Sequence, residues 1–112
     1  MAPKDTRVLL IKYHEAAGDA WVKANEHCKS APHFKYVAER SALRDYQIKE
    51  KYALALVRCG KWAQAEHEVQ VALSANRGTK STLLAAMYEL KKHATGANAA
   101  ALEKLIDKAG KW

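Results

Sequence analysis

The sequence predicts an all-α fold, either a compact antiparallel bundle or a short helical-hairpin array of about five helices. Three observations predict it. Apolar residues make up 49% of the chain and alanine is very frequent. Proline stands only at Pro3 and Pro32, and there are five glycines, so breakers are few. Apolar residues recur at spacings of three and four, while the alternation expected of strands is absent. A chain of 112 residues suits one domain, 1–112, with a single modest core.

The first helix is expected from a cap at Asp5 or Thr6 to about Lys29. Leu10, Tyr13, Ala17, Trp21, Ala24 and Cys28 share one face, and Ala17, Ala20 and Ala24 would let a neighbouring helix approach closely. Gly18 weakens this helix by about 1 kcal/mol relative to alanine without ending it. Ser30 is read as the cap of a long second helix, Pro32 to Arg58, with proline tolerated in its first turn. Its apolar stretches, Phe34/Val37/Ala38 and Ile48/Tyr52/Ala55/Leu56, fall out of phase near Asp45, which signals a bend or two shorter helices. Between them Arg40, Arg44, Asp45, Lys49 and Lys51 read as exposed.

The third helix runs from Lys61 to about Asn76 and turns Trp62, Ala65, Val69, Ala72 and Leu73 inward. The loop Asn76-Arg77-Gly78-Thr79 follows, and Thr79 or Ser81 caps a fourth helix that buries Leu83, Leu84, Met87 and Leu90. That helix closes on Lys91-Lys92-His93, cations that suit the negative end of the helix dipole. Asn98 is expected to cap a fifth helix carrying Leu102, Leu105, Ile106 and Ala109, stopped by Gly110. A faint repeat at an offset of 48 overlays Ala17, Trp21 and Ala24 on Ala65, Val69 and Ala72.

Tyr52 to Leu73 resembles a tetratricopeptide-type hairpin, through Ala53, Leu56, Gly60, Trp62, Ala65, Val69 and Ala72. Arg77 stands where such repeats often carry proline. A second resemblance is to the AraC-negative-regulator and PerC-type small bacterial regulators. Tyr13-His14-Glu15-Ala16-Ala17-Gly18-Asp19-Ala20-Trp21 looks like the first part of their motif and Tyr36-Val37-Ala38-Glu39-Arg40 like the later part. No glycine precedes Tyr13, and Arg44 falls where a cysteine would be expected. This resemblance implies a regulator that works by contact with transcription factors.

The functional reading follows from what is missing as much as from what is present. No apolar run is long enough for a membrane span, and the N-terminal residues lack a cleavable signal pattern, so the expected location is cytoplasmic. Cys28 and Cys59 form no CxxC and are expected as buried or half-buried thiols rather than a disulfide. His14, His27, His33, His67 and His93 invite a metal reading. The best cluster, His27-Cys28 with His33, fails because adjacent helical residues point about 100° apart. No metal, cofactor or catalytic set is expected; Cys59 at a helix C-terminus is disfavoured as a thiolate. The chain is therefore not expected to be an enzyme.

The formal charge is +7, split +4 over residues 1–58 and +3 over 59–112. This balance permits contact with nucleic acid or an acidic protein. The contact candidates are Lys35, Arg40, Arg44, Lys51 and Arg58, read as a basic face of the second helix, and Trp112, which either folds back or anchors a partner. The preferred expectation is a small non-enzymatic adaptor or inhibitor with a protein partner, held in a groove between hairpins or on an exposed helix face. The alternative is nucleic-acid binding through the basic face. Alanine-rich faces also leave a homo-oligomer open.

Overall fold

The structure is a computed structural model and describes residues 3–41 and 45–112. It is all-helical among the described residues, with α1 (Pro3–Lys23), α2 (His27–Arg40), α3 (Tyr46–Cys59), α4 (Trp62–Ala75), α5 (Thr79–Lys91) and α6 (Gly96–Lys111). Consecutive helices pair as three hairpins, α1–α2, α3–α4 and α5–α6. The first hairpin docks through α2 onto α3, and the second packs α3 and α4 against α5 and α6. This succession makes the molecule elongated, 51 × 28 × 19 Å.

Two of the turns are built alike. Asn25 adopts φ 60° and Gly60 φ 77°, the left-handed conformation that ends a helix. The Glu26 N–H reaches the Trp21 carbonyl at 2.8 Å and the Lys61 N–H reaches the Leu56 carbonyl at 3.1 Å. Each closes the last helical carbonyls in a Schellman arrangement. The turn recurs after about 35 residues, the period of a hairpin array. The offset of 48 has no such meaning, because it superposes α1 on α4, the first helix of one hairpin on the second of another.

Among the described residues there are six helices where the sequence suggested about five. The long helix expected from Pro32 to Arg58 is divided: α2 ends at Arg40 and α3 begins at Tyr46. The phase shift near Asp45 therefore marks a chain reversal, not a bend. Arg44 lies outside the described residues. The Asn25 turn also ends α1 at Lys23 rather than Lys29, so α2 starts at His27 and Pro32 lies within it. Ser30 is no cap; its buried hydroxyl donates to the His27 carbonyl at 2.8 Å. Asn98 likewise does not cap α6, since its Oδ1 accepts from Trp62 Nε1 at 3.2 Å.

Cys28 and Cys59 form a disulfide, correcting the expectation of two thiols. The reversal between α2 and α3 explains it. Cys28 is the second residue of α2 and Cys59 the last of α3, so antiparallel packing brings their Cα atoms to 4.9 Å.

The core runs through all three hairpins, from Phe34 and Val37 through Ile48, Leu56 and Val69 to Leu83, Met87, Leu102 and Ile106. Polar links tie the hairpins together: Lys108 to Glu66 at 2.8 Å, and the Thr79 hydroxyl to the Glu50 carboxylate. Arg77 and Lys80 donate to the main-chain oxygen of Trp112 at 2.7 and 3.0 Å. The Trp112 ring is half-buried against the core, so of the two placements open in sequence it folds back.

The inward side of α1 differs from the expected one. Gly18 is buried where it meets Phe34, whereas Leu10, Tyr13 and Ala24, assigned to the buried stripe, are exposed.

Lys51, expected to be exposed, is half-buried beneath α1 and bonded to Asp19 at 3.0 Å and Glu15 at 3.2 Å. Burial alone would lower its pKa, but the hydrogen bonds and charges of Asp19 and Glu15 prevail and raise it above the ordinary 10.5. A raised lysine stabilises the fold fully below 10.5 and ceases to do so as pH climbs through the folded value. The side chain is 38% exposed, so water screens the pair. Lys51→Met should therefore cost about 1 kcal/mol or less near neutral pH. Denaturant unfolding of both proteins between about pH 9 and about pH 11.5 should show that gap closing; a gap constant across the range would contradict the ion pair.

Candidate binding groove across the hairpin turns

The turns of the three hairpins lie along one edge of the array, and two hollows follow that edge. One, of about 330 Å³, opens between the α3–α4 turn (Arg58, Cys59, Gly60, Trp62) and the α5–α6 turn (Leu90, His93, Thr95, Asn98), with Leu102 among its lining residues. The other, of about 600 Å³, is bordered by Val22, Asn25, His27, Arg58 and Leu90. Arg58 and Leu90 belong to both, so the hollows form one groove crossing the turns. Its position follows from the sequence. The left-handed turns at Asn25 and Gly60 set the edge, and the disulfide fastens the start of α2 to the end of α3 beside it.

The groove combines apolar lining with the cation of Arg58. Trp62 and Leu90 supply apolar surface above the buried Leu102, and the Trp62–Asn98 hydrogen bond ties α4 to α6. Arg58 is exposed and forms no ion pair among the described residues. His27 pairs through Nε2 with Asn25 Oδ1 at 2.9 Å. Burial, and then the charge of Arg58, hold its imidazole below the ordinary 6.5. Such a groove suits a peptide segment with an apolar residue for Trp62 and Leu90 and a carboxylate for Arg58.

The basic candidates do not make one face. Lys35 and Arg40 are exposed on α2, while Lys51 is engaged by Glu15 and Asp19 and Arg58 stands at the turn edge. Their expected alignment along one helix is lost at the reversal between α2 and α3. Arg40 stacks on the Tyr36 ring at 3.6 Å.

A second cluster lies between α1 and α2 and joins Tyr13 and His14 of segment 13–21 to Tyr36 of segment 36–40, with His33. The Nδ1 atoms of His14 and His33 are 2.9 Å apart, so one ring donates and the other accepts. Tyr36 stacks on His14 with ring centroids 4.0 Å apart, and Tyr13 meets both histidines edge-on. The sequence named these residues in separate segments, and nothing in their spacing showed that they meet. Desolvation, then His33, then Arg40 lower the pKa of His14 from 6.5. With a lowered folded pKa the unfolded chain takes up the proton first. The contribution is present above 6.5 and is lost as pH falls through the folded value; His27 acts in the same sense. Unfolding at about pH 7.5 and about pH 5 should show a drop in stability that His14→Gln reduces. An equal drop in that variant would remove the pair from the account.

Among the described residues no three His, Cys, Asp or Glu side chains converge as metal ligands, and no helix is long and apolar enough to cross a membrane. No family model, no curated protein and no solved structure matches the chain.

Proposed function

We propose that the chain is a small non-enzymatic adaptor or inhibitor that holds a segment of another protein in the groove across its hairpin turns. The observation that carries this reading is the groove itself, where Trp62 and Leu90 give an apolar lining beside an exposed Arg58. The segment it suits is short and carries an acidic group next to an apolar one. The resemblance to AraC-negative-regulator and PerC-type proteins makes a transcription regulator the target class to examine first. The cytoplasmic location expected from sequence carries a condition, because the Cys28–Cys59 bridge persists only where thiols are kept oxidised.

The test is capture from host lysate with tagged protein, with and without nuclease, repeated with Arg58→Glu and Trp62→Ala. A stoichiometric protein that survives nuclease and is lost with both variants supports the groove. Nucleic acid recovered alone, insensitive to both variants but weakened by Lys35→Ala and Arg40→Ala, would replace this reading with the nucleic-acid one.

A further inference from the structure

Among the described residues, the outward face of α1 gathers several large apolar side chains that the fold leaves exposed. Leu9 is 63% exposed, Tyr13 61% and Leu10 41%, and Ala16 and Ala20 continue the face along the helix as exposed small residues. Leu9, Tyr13, Ala16 and Ala20 follow one another at spacings of four, three and four, the seam by which one helix packs on another. The helix meets its own chain mainly through α2, on its other side.

We propose that this face pairs with the same face of a second copy, the two α1 helices running antiparallel about a two-fold axis. The pattern of the seam argues for a second copy over a foreign helix. A two-fold axis at the level of residues 14 and 15 sets Leu9 of one protomer against Ala20 of its partner. Tyr13 then meets Ala16, and Leu10 meets Ala17. Every large side chain faces a small one, so the surface is complementary to itself, as a two-fold contact requires. Charge agrees. Lys12 borders the seam on the side of Asp19, and in this register Lys12 of one protomer approaches Asp19 of its partner. Asp19 already accepts from Lys51 at 3.0 Å and remains half exposed, so its carboxylate bridges two lysines. In a parallel pair Lys12 would approach Ala17 instead, and this attraction would be absent.

The seam extends about 17 Å from Leu9 to Ala20 at 1.5 Å per residue. That is well short of a standard interface, so the dimer is weak and depends on concentration. Sedimentation velocity of the full chain between about 1 μM and about 1 mM should show a monomer of 12.5 kDa giving way to a species of twice that mass. Ala16→Glu sets a charge against the tyrosine of the partner and should weaken association by at least roughly tenfold. Lys12→Glu opposes like charges across the axis and should weaken it as well. Both positions are exposed, so circular dichroism should show helicity unchanged. A monomer at every concentration, or a dimer indifferent to Ala16→Glu, would overturn the proposal. A dimer broken by Ala16→Glu but indifferent to Lys12→Glu would overturn the antiparallel register. Arg58→Glu, which is remote from the seam, should leave association unchanged, so loss of the groove reading and loss of this one are separable.

Discussion

Replacing Cys28 and Cys59 together by serine, or reducing the bridge, is expected to cost about 3–4 kcal/mol of stability. The estimate comes from the loop the bridge closes. The two cysteines are separated by 31 positions in sequence, and restricting a loop of that length in the unfolded chain gives this magnitude. For a domain of this size the midpoint of thermal unfolding should fall by roughly 15 °C or more. The loss should be visible in denaturant unfolding monitored by circular dichroism, with the helical spectrum of the folded state preserved. A double-serine variant within about 0.5 kcal/mol of the native chain would mean that the hairpin junction needs no covalent tie. The chemical state is checked separately. Alkylation of protein trapped directly from its source cells, followed by intact-mass measurement, should add no mass without reductant and two adducts with it. Two adducts without reductant would restore the thiols expected from sequence and with them the cytoplasmic assignment.

That bridge shows where sequence reading stopped. The separation of Cys28 and Cys59 says nothing of pairing while Pro32–Arg58 is taken as one helix, because its ends then lie far apart. The out-of-phase stripes of Phe34/Val37 and Ile48/Tyr52 contained the reversal, since a phase break between two buried faces suits two helices as well as one bent helix. Once the chain turns back, residues equidistant from the turn face each other, and Cys28 and Cys59 are such a pair. The α3–α4 hairpin was legible because Gly60 marks its turn and the small residues Ala65, Val69 and Ala72 mark its buried face. The Asn25 turn was missed because asparagine is a weaker signal than glycine for a left-handed residue.

The site divides in the same way. Arg58 was named from sequence for a phosphate-contacting helix face and instead stands in the groove. The other groove residues come from six helices and three turns, and no local spacing predicts such a gathering. Lys51 was read as free because periodicity does not show what packs above a residue; Glu15 and Asp19, one turn apart on α1, sit there. On α1 the sequence assigned Leu10, Tyr13 and Ala24 to a buried stripe, whereas the face that packs on α2 is the one carrying Gly18, which meets Phe34. The fold leaves Leu9, Leu10 and Tyr13 exposed; spacing shows that residues share a helix face but not whether that face is covered.

The close approach of α1 to α2 supports a second large effect. A Cβ at Gly18 would lie 2.5 Å from Cε1 of Phe34 and 2.8 Å from its Cδ1, nearer than real atoms come. Phe34 is 1% exposed, so its ring has no open space to enter. Gly18→Ala therefore opposes two terms. The helix gains about 1 kcal/mol from losing a glycine, while overpacking in a closed core costs typically about 1–3 kcal/mol and pushes α1 away from α2. The net expectation is destabilisation by up to about 2 kcal/mol, despite a change that stabilises most helices. Phe34→Ala, which empties the same contact, should cost about 3–5 kcal/mol. The informative measurement is the double-mutant cycle with Phe34→Leu. A leucine is smaller where the new methyl would collide, so Gly18→Ala should be neutral or stabilising in that background. The two changes should then be non-additive by at least about 1 kcal/mol. Additivity within about 0.5 kcal/mol, or a Gly18→Ala chain more stable than the native one, would mean that α1 and α2 can part without cost. The glycine would then owe its place to something other than the Phe34 ring.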